Sequence, residues 1–194
     1  MSYEIIVQAL WIILPAYIAN ASAVLVGGGT AIDFGKKWKD GRRIFGDGKT
    51  WRGLISGAFV GMTAGFGFSI VAIYANDSDF AFLELSDFGR FPIMIPIIGS
   101  ICFGALFGDI TESFLKRRVG KDRGEDWIPF DQLDFIVGAL ILSFIVAIII
   151  QLFTSYWFFD GFTVWHIFVL VIVTPFIHIF TNFIHKKIRA KNIK

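Results

Sequence analysis

The chemistry in this sequence sits in three short stretches of charge. The first reads Gly108-Asp109-Ile-Thr-Glu112-Ser113-Phe-Leu-Lys116-Arg117-Arg118. On a helix, Asp109, Glu112, Ser113 and Lys116 fall at i, i+3, i+4 and i+7 and share one face. The second is Pro129-Phe130-Asp131-Gln132-Leu133-Asp134, two carboxylates three residues apart at the start of an apolar run. Read alone, Asp131 caps a helix and Asp134 sits near the positive end of its dipole. Joined to Asp109 on an adjacent helix end, the pair instead offers three carboxylates to a hard cation such as Mg²⁺, which takes oxygen ligands and bridges to phosphates. The third stretch, Gly46-Asp47-Gly48-Lys49-Thr50-Trp51-Arg52-Gly53, presents Lys49, Thr50 and Arg52 from a glycine-punctuated loop able to grip a phosphate chain. It is no Walker loop: that pattern requires a glycine five residues before Gly48, where Arg43 stands, and a preceding strand.

The rest of the chain says what must position these residues. Of 194 residues, 55% are hydrophobic and 23 are phenylalanine, and the mean hydropathy is +0.67. Soluble domains are nearer about 45–50% apolar. A hydrocarbon core of about 30 Å takes roughly 20 apolar residues in a helix, and five runs qualify: 5–26, 54–75, 91–107, 135–153 and 164–183. They are unbroken, whereas barrel strands alternate over about ten residues. The expectation is an all-α, polytopic membrane bundle of five transmembrane helices, one integral membrane domain over 1–194. Its cytoplasmic loops would be 27–53 and 112–132, with a polar site on that face. The first run is too long for a signal peptide and lacks a basic start, so it is expected to remain as a span. Cys102, the single cysteine, lies inside an apolar run and allows no intrachain disulfide.

Orientation follows from where the basic residues lie. Lys36, Lys37, Lys39, Arg42, Arg43, Lys49 and Arg52 fall in the first loop, and Lys116, Arg117, Arg118, Lys121 and Arg123 in the second. The tail carries Lys186, Lys187, Arg189, Lys191 and Lys194. Of the 18 basic residues only Arg90 falls on the other side, beside Asp77, Asp79, Glu84 and Asp87. The positive-inside rule puts the N-terminus outside and the C-terminus and site in the cytoplasm, in the cell membrane. Basic juxtamembrane residues are common in any such protein, and for the tail that reading suffices. The two internal loops differ because their cations alternate with carboxylates and glycines.

From Ser113 through Lys116-Arg117, Lys121-Asp122, Pro129 and Asp131-x-x-Asp134, the chain resembles the signature of the phosphatidate cytidylyltransferases. Lys49-Thr50-Trp51-x-Gly53 is similar to a second segment of that family. The five-span length and the Asp-Gly-Lys-Thr-Trp-Arg-Gly form look most like its archaeal branch, the CDP-archaeol synthases. Bacterial members carry His-Gly-Gly between the proline and the aspartates, where Phe130 follows Pro129 directly here. They also have a basic residue at the position of Gln132 and an aspartate near Asn20. The resemblance implies a nucleotidyl transfer in which CTP and a membrane lipid phosphate, 2,3-bis-O-geranylgeranylglycerol 1-phosphate, give the CDP-lipid and pyrophosphate. It implies Mg²⁺ held by Asp109, Asp131 and Asp134, with Asp122 nearby as a further or supporting ligand. Lys49, Thr50, Arg52, Lys116, Arg117 and Lys121 would bind phosphate. The partners are then CTP, the lipid phosphate and the bilayer, with no nucleic acid.

Two other readings compete. A CDP-alcohol phosphotransferase also uses membrane-border aspartates, but its Asp-Gly-x-x-Ala-Arg pattern is missing. A small ion-coupled transporter would place charges mid-span in both halves of a repeat, whereas here they gather at one face. Gly53, Gly57, Gly61 and Gly65 recur every four residues and read as a helix-packing face. Gly27-Gly28-Gly29 and Asp33 read as a bend at the inner surface. His178, Asn182 and His185 form a stripe that lacks the further ligands a Zn²⁺ site needs. Trp11, Trp51, Trp157 and Trp165 are candidate interfacial anchors.

Overall fold

The computed structural model describes residues 3–122, 125 and 127–191, the stretch 178–191 as helical backbone only. Among the described residues the regular elements are all helices, with two isolated bridges besides: α1 Tyr3–Val26, α2 Trp51–Asn76, α3 Arg90–Arg118, α4 Phe130–Phe153 and α5 Val164–Lys191, with a 3₁₀ turn at Ala81–Leu83. By length and composition α1 to α4 are each able to cross a membrane, and the apolar part of α5 covers Val164–Ile177. Large apolar side chains face outward all along the bundle, among them Phe59, Ile70, Val137, Ile141 and Phe153. In water such a surface is a liability; in lipid it is the expected exterior, with every helical backbone group satisfied internally.

Small residues let the helices close up. Each of Gly53, Gly57, Gly61 and Gly65 is buried on α2. A β-carbon at Gly53 or Gly57 would meet the carbonyl oxygens of Ala23 and Ala19 at 2.8 and 2.7 Å, and one at Gly61 would meet that of Pro15 at 2.9 Å. This is the close-packing face that the four-residue period predicts. A second such contact joins α3 to α4. A β-carbon at Gly104 would lie 2.5 Å from the carbonyl oxygen of Gly138, and one at Gly138 would lie 2.7 Å from Gly108 Cα. Ile13, Ile97, Ile98, Ile101, Phe135, Ile136 and Leu170 fill the core between these pairs.

The ends of the bundle are unlike. At one end, Gln8 Nε2 donates to Leu83 O and Trp11 Nε1 to Ser86 O, tying the start of α1 to the 77–89 connection. His166 Nδ1 accepts from the Thr163 N–H, so Nε2 carries the proton that bridges to Gln8 Oε1 at 3.1 Å. Tyr17 OH lies 2.7 Å from Thr174 Oγ1. Contacts at both Gln8 and Tyr17 make α5 run parallel to α1. At the other end the two basic connections meet, over 27–50 and 119–129. These are shorter than the loops expected at 27–53 and 112–132. Trp51 to Gly53 form the first turn of α2, and α3 stays helical beyond the apolar run 91–107 through Arg118, so the face shared by Asp109, Glu112, Ser113 and Lys116 is formed.

Candidate active site

The connection 27–50 is built around one buried carboxylate. Asp33 is 4% exposed and accepts from the N–H groups of Gly35, Phe45 and Gly46 and from Nε and Nη2 of Arg43. Burial alone would raise its pKa. The five donors outweigh that and hold the carboxyl well below the usual carboxylate range. Arg43 also reaches Asp47. From the end of α3, Arg118 donates to Asp40 and to the Arg43 carbonyl, with its guanidinium 5.0 Å over Phe114. The loop is thereby fixed to α3, and Asp47-Gly48-Lys49 follow directly from the residues that Asp33 holds.

The cations and carboxylates are interleaved beneath it. Lys49 Nζ lies 2.5 Å from Asp109 Oδ2. Lys116 Nζ donates to both oxygens of Asp131 at 2.8 Å and lies 3.8 Å from Glu112 Oε1. The Trp127 N–H donates to Asp131 Oδ2 at 2.8 Å, and Asp134 Oδ1 accepts from the Phe135 N–H. Glu112 and Lys116 are each 8% exposed, and Glu112 Oε1 is buried without a hydrogen-bond partner. Asp47, Gly48 and Lys49 form one wall of a cavity of about 530 Å³; Asp109, Glu112, Lys116, Arg117, Asp131 and Asp134 form the other. A second, apolar groove of about 610 Å³ runs between α3 and α4 along Phe107, Leu115, Leu133, Val137 and Ile141. Glu112 and Asp134 line both spaces. A polar chamber and an apolar trough therefore meet at two carboxylates.

Among the described residues no three carboxylate, histidine or cysteine side chains converge closely enough to hold a metal as they stand. Asp109 and Asp131 each hold a lysine ammonium instead. The donor set still fits Mg²⁺, since it is all oxygen, shares one cavity and already collects positive charge.

A family model described as CarS-like CDP-archaeol synthase matches residues 2–194. The chain is 40% identical over 193 residues to a CDP-archaeol synthase of Thermococcus onnurineus, covering 100% of this chain and 99% of the relative. It is 38% identical to one of Archaeoglobus fulgidus, covering 98% of each. The chain belongs to the CDP-archaeol synthase family. A solved structure of an intramembrane enzyme for archaeal membrane lipids biosynthesis superimposes with a TM-score of 0.69 at 32% identity, covering 92% of this chain and 94% of that one.

In this member of the CDP-archaeol synthase family, six of the residues singled out from sequence come together: Lys49, Asp109, Lys116, Arg117, Asp131 and Asp134. Four do not line the cavity. Thr50 is buried and caps α2, its Oγ1 accepting from the N–H groups of Gly53 and Gly28. Arg52 donates to the carbonyls of Val26 and Gly27, closing the end of α1. Lys121 and Asp122 lie in the 119–129 connection, where the Lys121 carbonyl accepts from Arg117. Asp131 is no simple cap, because it takes Lys116 and the Trp127 N–H, while Pro129 holds the cap position. Asp47, Glu112 and Ser113 line the cavity without having been assigned a role, though the last two lie on the helical stripe that marked Asp109. Arg123, Gly124 and Asp126 lie outside the described residues, as do the side chains of the His178, Asn182 and His185 stripe.

Proposed function

We propose that the chain transfers a cytidylyl group from CTP to a membrane lipid phosphate of the archaeol type, releasing pyrophosphate. The observation that carries this is the meeting of the two spaces at Glu112 and Asp134. A water-borne polyanion suits a chamber with Lys49, Lys116 and Arg117, and a lipid whose tails stay in the bilayer suits the trough between α3 and α4. The lipid phosphate oxygen attacks the α-phosphorus of CTP. One P–O bond forms, the bond from the α-phosphorus to the bridging oxygen breaks, and pyrophosphate leaves. No general base is required, because the nucleophile is already ionised. What the chain must supply is positioning and positive charge, since both reactants are polyanions.

Lys49 reaches the chamber from a loop that Asp33 and Arg118 hold in place, so its ammonium, once freed from Asp109, is positioned for the phosphate chain. Lys116 and Arg117, from the last turns of α3, face it from the opposite wall. Asp109, Asp131 and Asp134 would hold Mg²⁺, which when bound neutralises phosphate oxygens and the departing pyrophosphate. The basic connections at this end support a cytoplasmic site with the N-terminus outside. The test is pyrophosphate release from CTP on adding the lipid phosphate, for wild type, Asp131→Asn and Asp134→Asn. Each variant should lose turnover while eluting as a folded protein in detergent. Normal turnover in both would reduce the two carboxylates to helix-start residues and move the site elsewhere.

A further inference from the structure

Two ion pairs line the chamber, Lys49–Asp109 joining its two walls and Lys116–Asp131 lying within one, and they are unlike in what surrounds them. Lys49 and Asp109 come from different arms of the site, the 27–50 loop and α3, and are part-exposed at 20% and 21%. The Asp109 contact is the ion pair that Lys49 makes among the described residues. Lys116 holds Asp131 from the same helix that carries Glu112, whose unpartnered Oε1 waits 3.8 Å away. A cation arriving at Asp109 and Asp131 meets both lysines already there. Like charges at such distances cannot share one carboxylate comfortably, so one must give way.

Resting on the reading of Asp109, Asp131 and Asp134 as cation ligands, we infer that Lys49 is an exchangeable stand-in for the divalent cation on Asp109, released to the phosphate chain when the cation takes its place. Lys116 has a second acceptor on its own helix in Glu112, so its release from Asp131 leaves it within the site wall. Among the described residues Lys49 makes no second ion pair, and its loop lines the chamber at Asp47 and Gly48. Its ammonium, a point charge on a flexible stem, turns to the nearest new anion. The cation and the nucleotide are thereby coupled: each removes the obstacle to the other, and linkage makes the effect mutual. Without nucleotide, Lys49 opposes the cation; without the cation, Asp109 withholds Lys49 from phosphate.

This gives a result opposite in sign to ordinary loss of a binding residue. Mn²⁺ alone is titrated into detergent-purified full-length protein, without nucleotide or lipid, and bound Mn²⁺ is read by electron paramagnetic resonance. Lys49→Ala should bind Mn²⁺ about tenfold more tightly than wild type, and Lys49→Arg, which keeps the stand-in charge, should stay near wild type. Added CTP should tighten Mn²⁺ binding in wild type by several-fold more than in Lys49→Ala. Asp109→Asn separates this idea from the reading beneath it. If Asp109→Asn binds Mn²⁺ as wild type does, Asp109 is not a ligand and the underlying assignment fails. If Asp109→Asn loses Mn²⁺ but Lys49→Ala binds it no tighter than wild type, the assignment stands and the exchange is refuted.

Discussion

Replacing Gly138 by alanine should slow the enzyme without unfolding it. Gly138 lies one turn beyond Asp134 on α4, where it meets α3 beside Asp109. A β-carbon there would sit 2.7 Å from Gly108 Cα and 2.8 Å from Gly108 N. Carbon atoms rest at about 3.5–4.0 Å, so the two backbones must part by about 1 Å. These are backbone atoms of two helices, with no flexible side-chain end to yield. Overpacking of this kind costs about 1–3 kcal/mol of stability. The larger effect is on geometry, because Asp134 and Asp109 move apart with their helices. Misplacement of about 1 Å lowers a rate roughly 100-fold, equivalent to about 2.7 kcal/mol of barrier at 1.36 kcal/mol per tenfold. Pyrophosphate release at saturating CTP and lipid, with thermal unfolding in the same detergent, reads both effects. Gly67→Ala is the matched control, since nothing lies within 4 Å of its β-carbon. Turnover of Gly138→Ala within about threefold of wild type would refute the claim that this contact sets the distance between the carboxylates.

Three other outcomes are expected. Val137→Trp, which fills part of the trough between α3 and α4, should raise KM for the lipid phosphate several-fold and leave KM for CTP unchanged; equal effects on both would deny the trough its role. Asp33→Asn should lower thermal stability near neutrality, and because the folded pKa of Asp33 is depressed, its contribution is fully present above its unfolded value of about 4 and is lost as pH falls below it. The gap in melting temperature between wild type and Asp33→Asn should therefore hold from about pH 7 to 5 and narrow toward pH 3; a gap that widens on acidification would contradict this sign. With Cys102 replaced by serine, an impermeant thiol reagent added outside should label a cysteine at position 4 and spare one at position 194, and labelling at 194 would reverse the orientation.

Much of the site is legible because helical periodicity is a strong signal. Asp109, Glu112, Ser113 and Lys116 align only on a helix, and α3 is helical through all four. The same regularity exposed the packing face at Gly53, Gly57, Gly61 and Gly65. Hydropathy was a poorer guide to where α3 ends, since it marks the border of an apolar run while hydrogen bonding carries the helix on to Arg118. Thr50 shows a different limit: a hydroxyl that can meet a phosphate can equally cap a helix, and its Oγ1 accepts from the Gly53 N–H. The contact of Gly104 and Gly108 with Gly138 joins residues about 30 apart that share no period. Asp33 gave no sign of its five donors, because three of them are backbone groups brought round by the loop.

The tightest backbone approaches pair α1 with α2 and α3 with α4. These two arms are joined by residues 77–89 at the end remote from the site, by the core where a β-carbon at Gly65 would meet the Ile98 side chain, and at the site by Arg118 and the Lys49–Asp109 pair. Lys49 belongs to one arm and the carboxylates to the other. With 26 residues in α2 at about 1.5 Å each, the lever is close to 40 Å long. A relative tilt of about 1.5° moves the far tips past one another by about 1 Å, as much as a misplaced catalytic group can tolerate. Helices tilt when the hydrocarbon thickness around them changes. The membrane that supplies one substrate thus also acts as a caliper on the active site, and turnover across bilayers of stepped thickness should pass through a maximum.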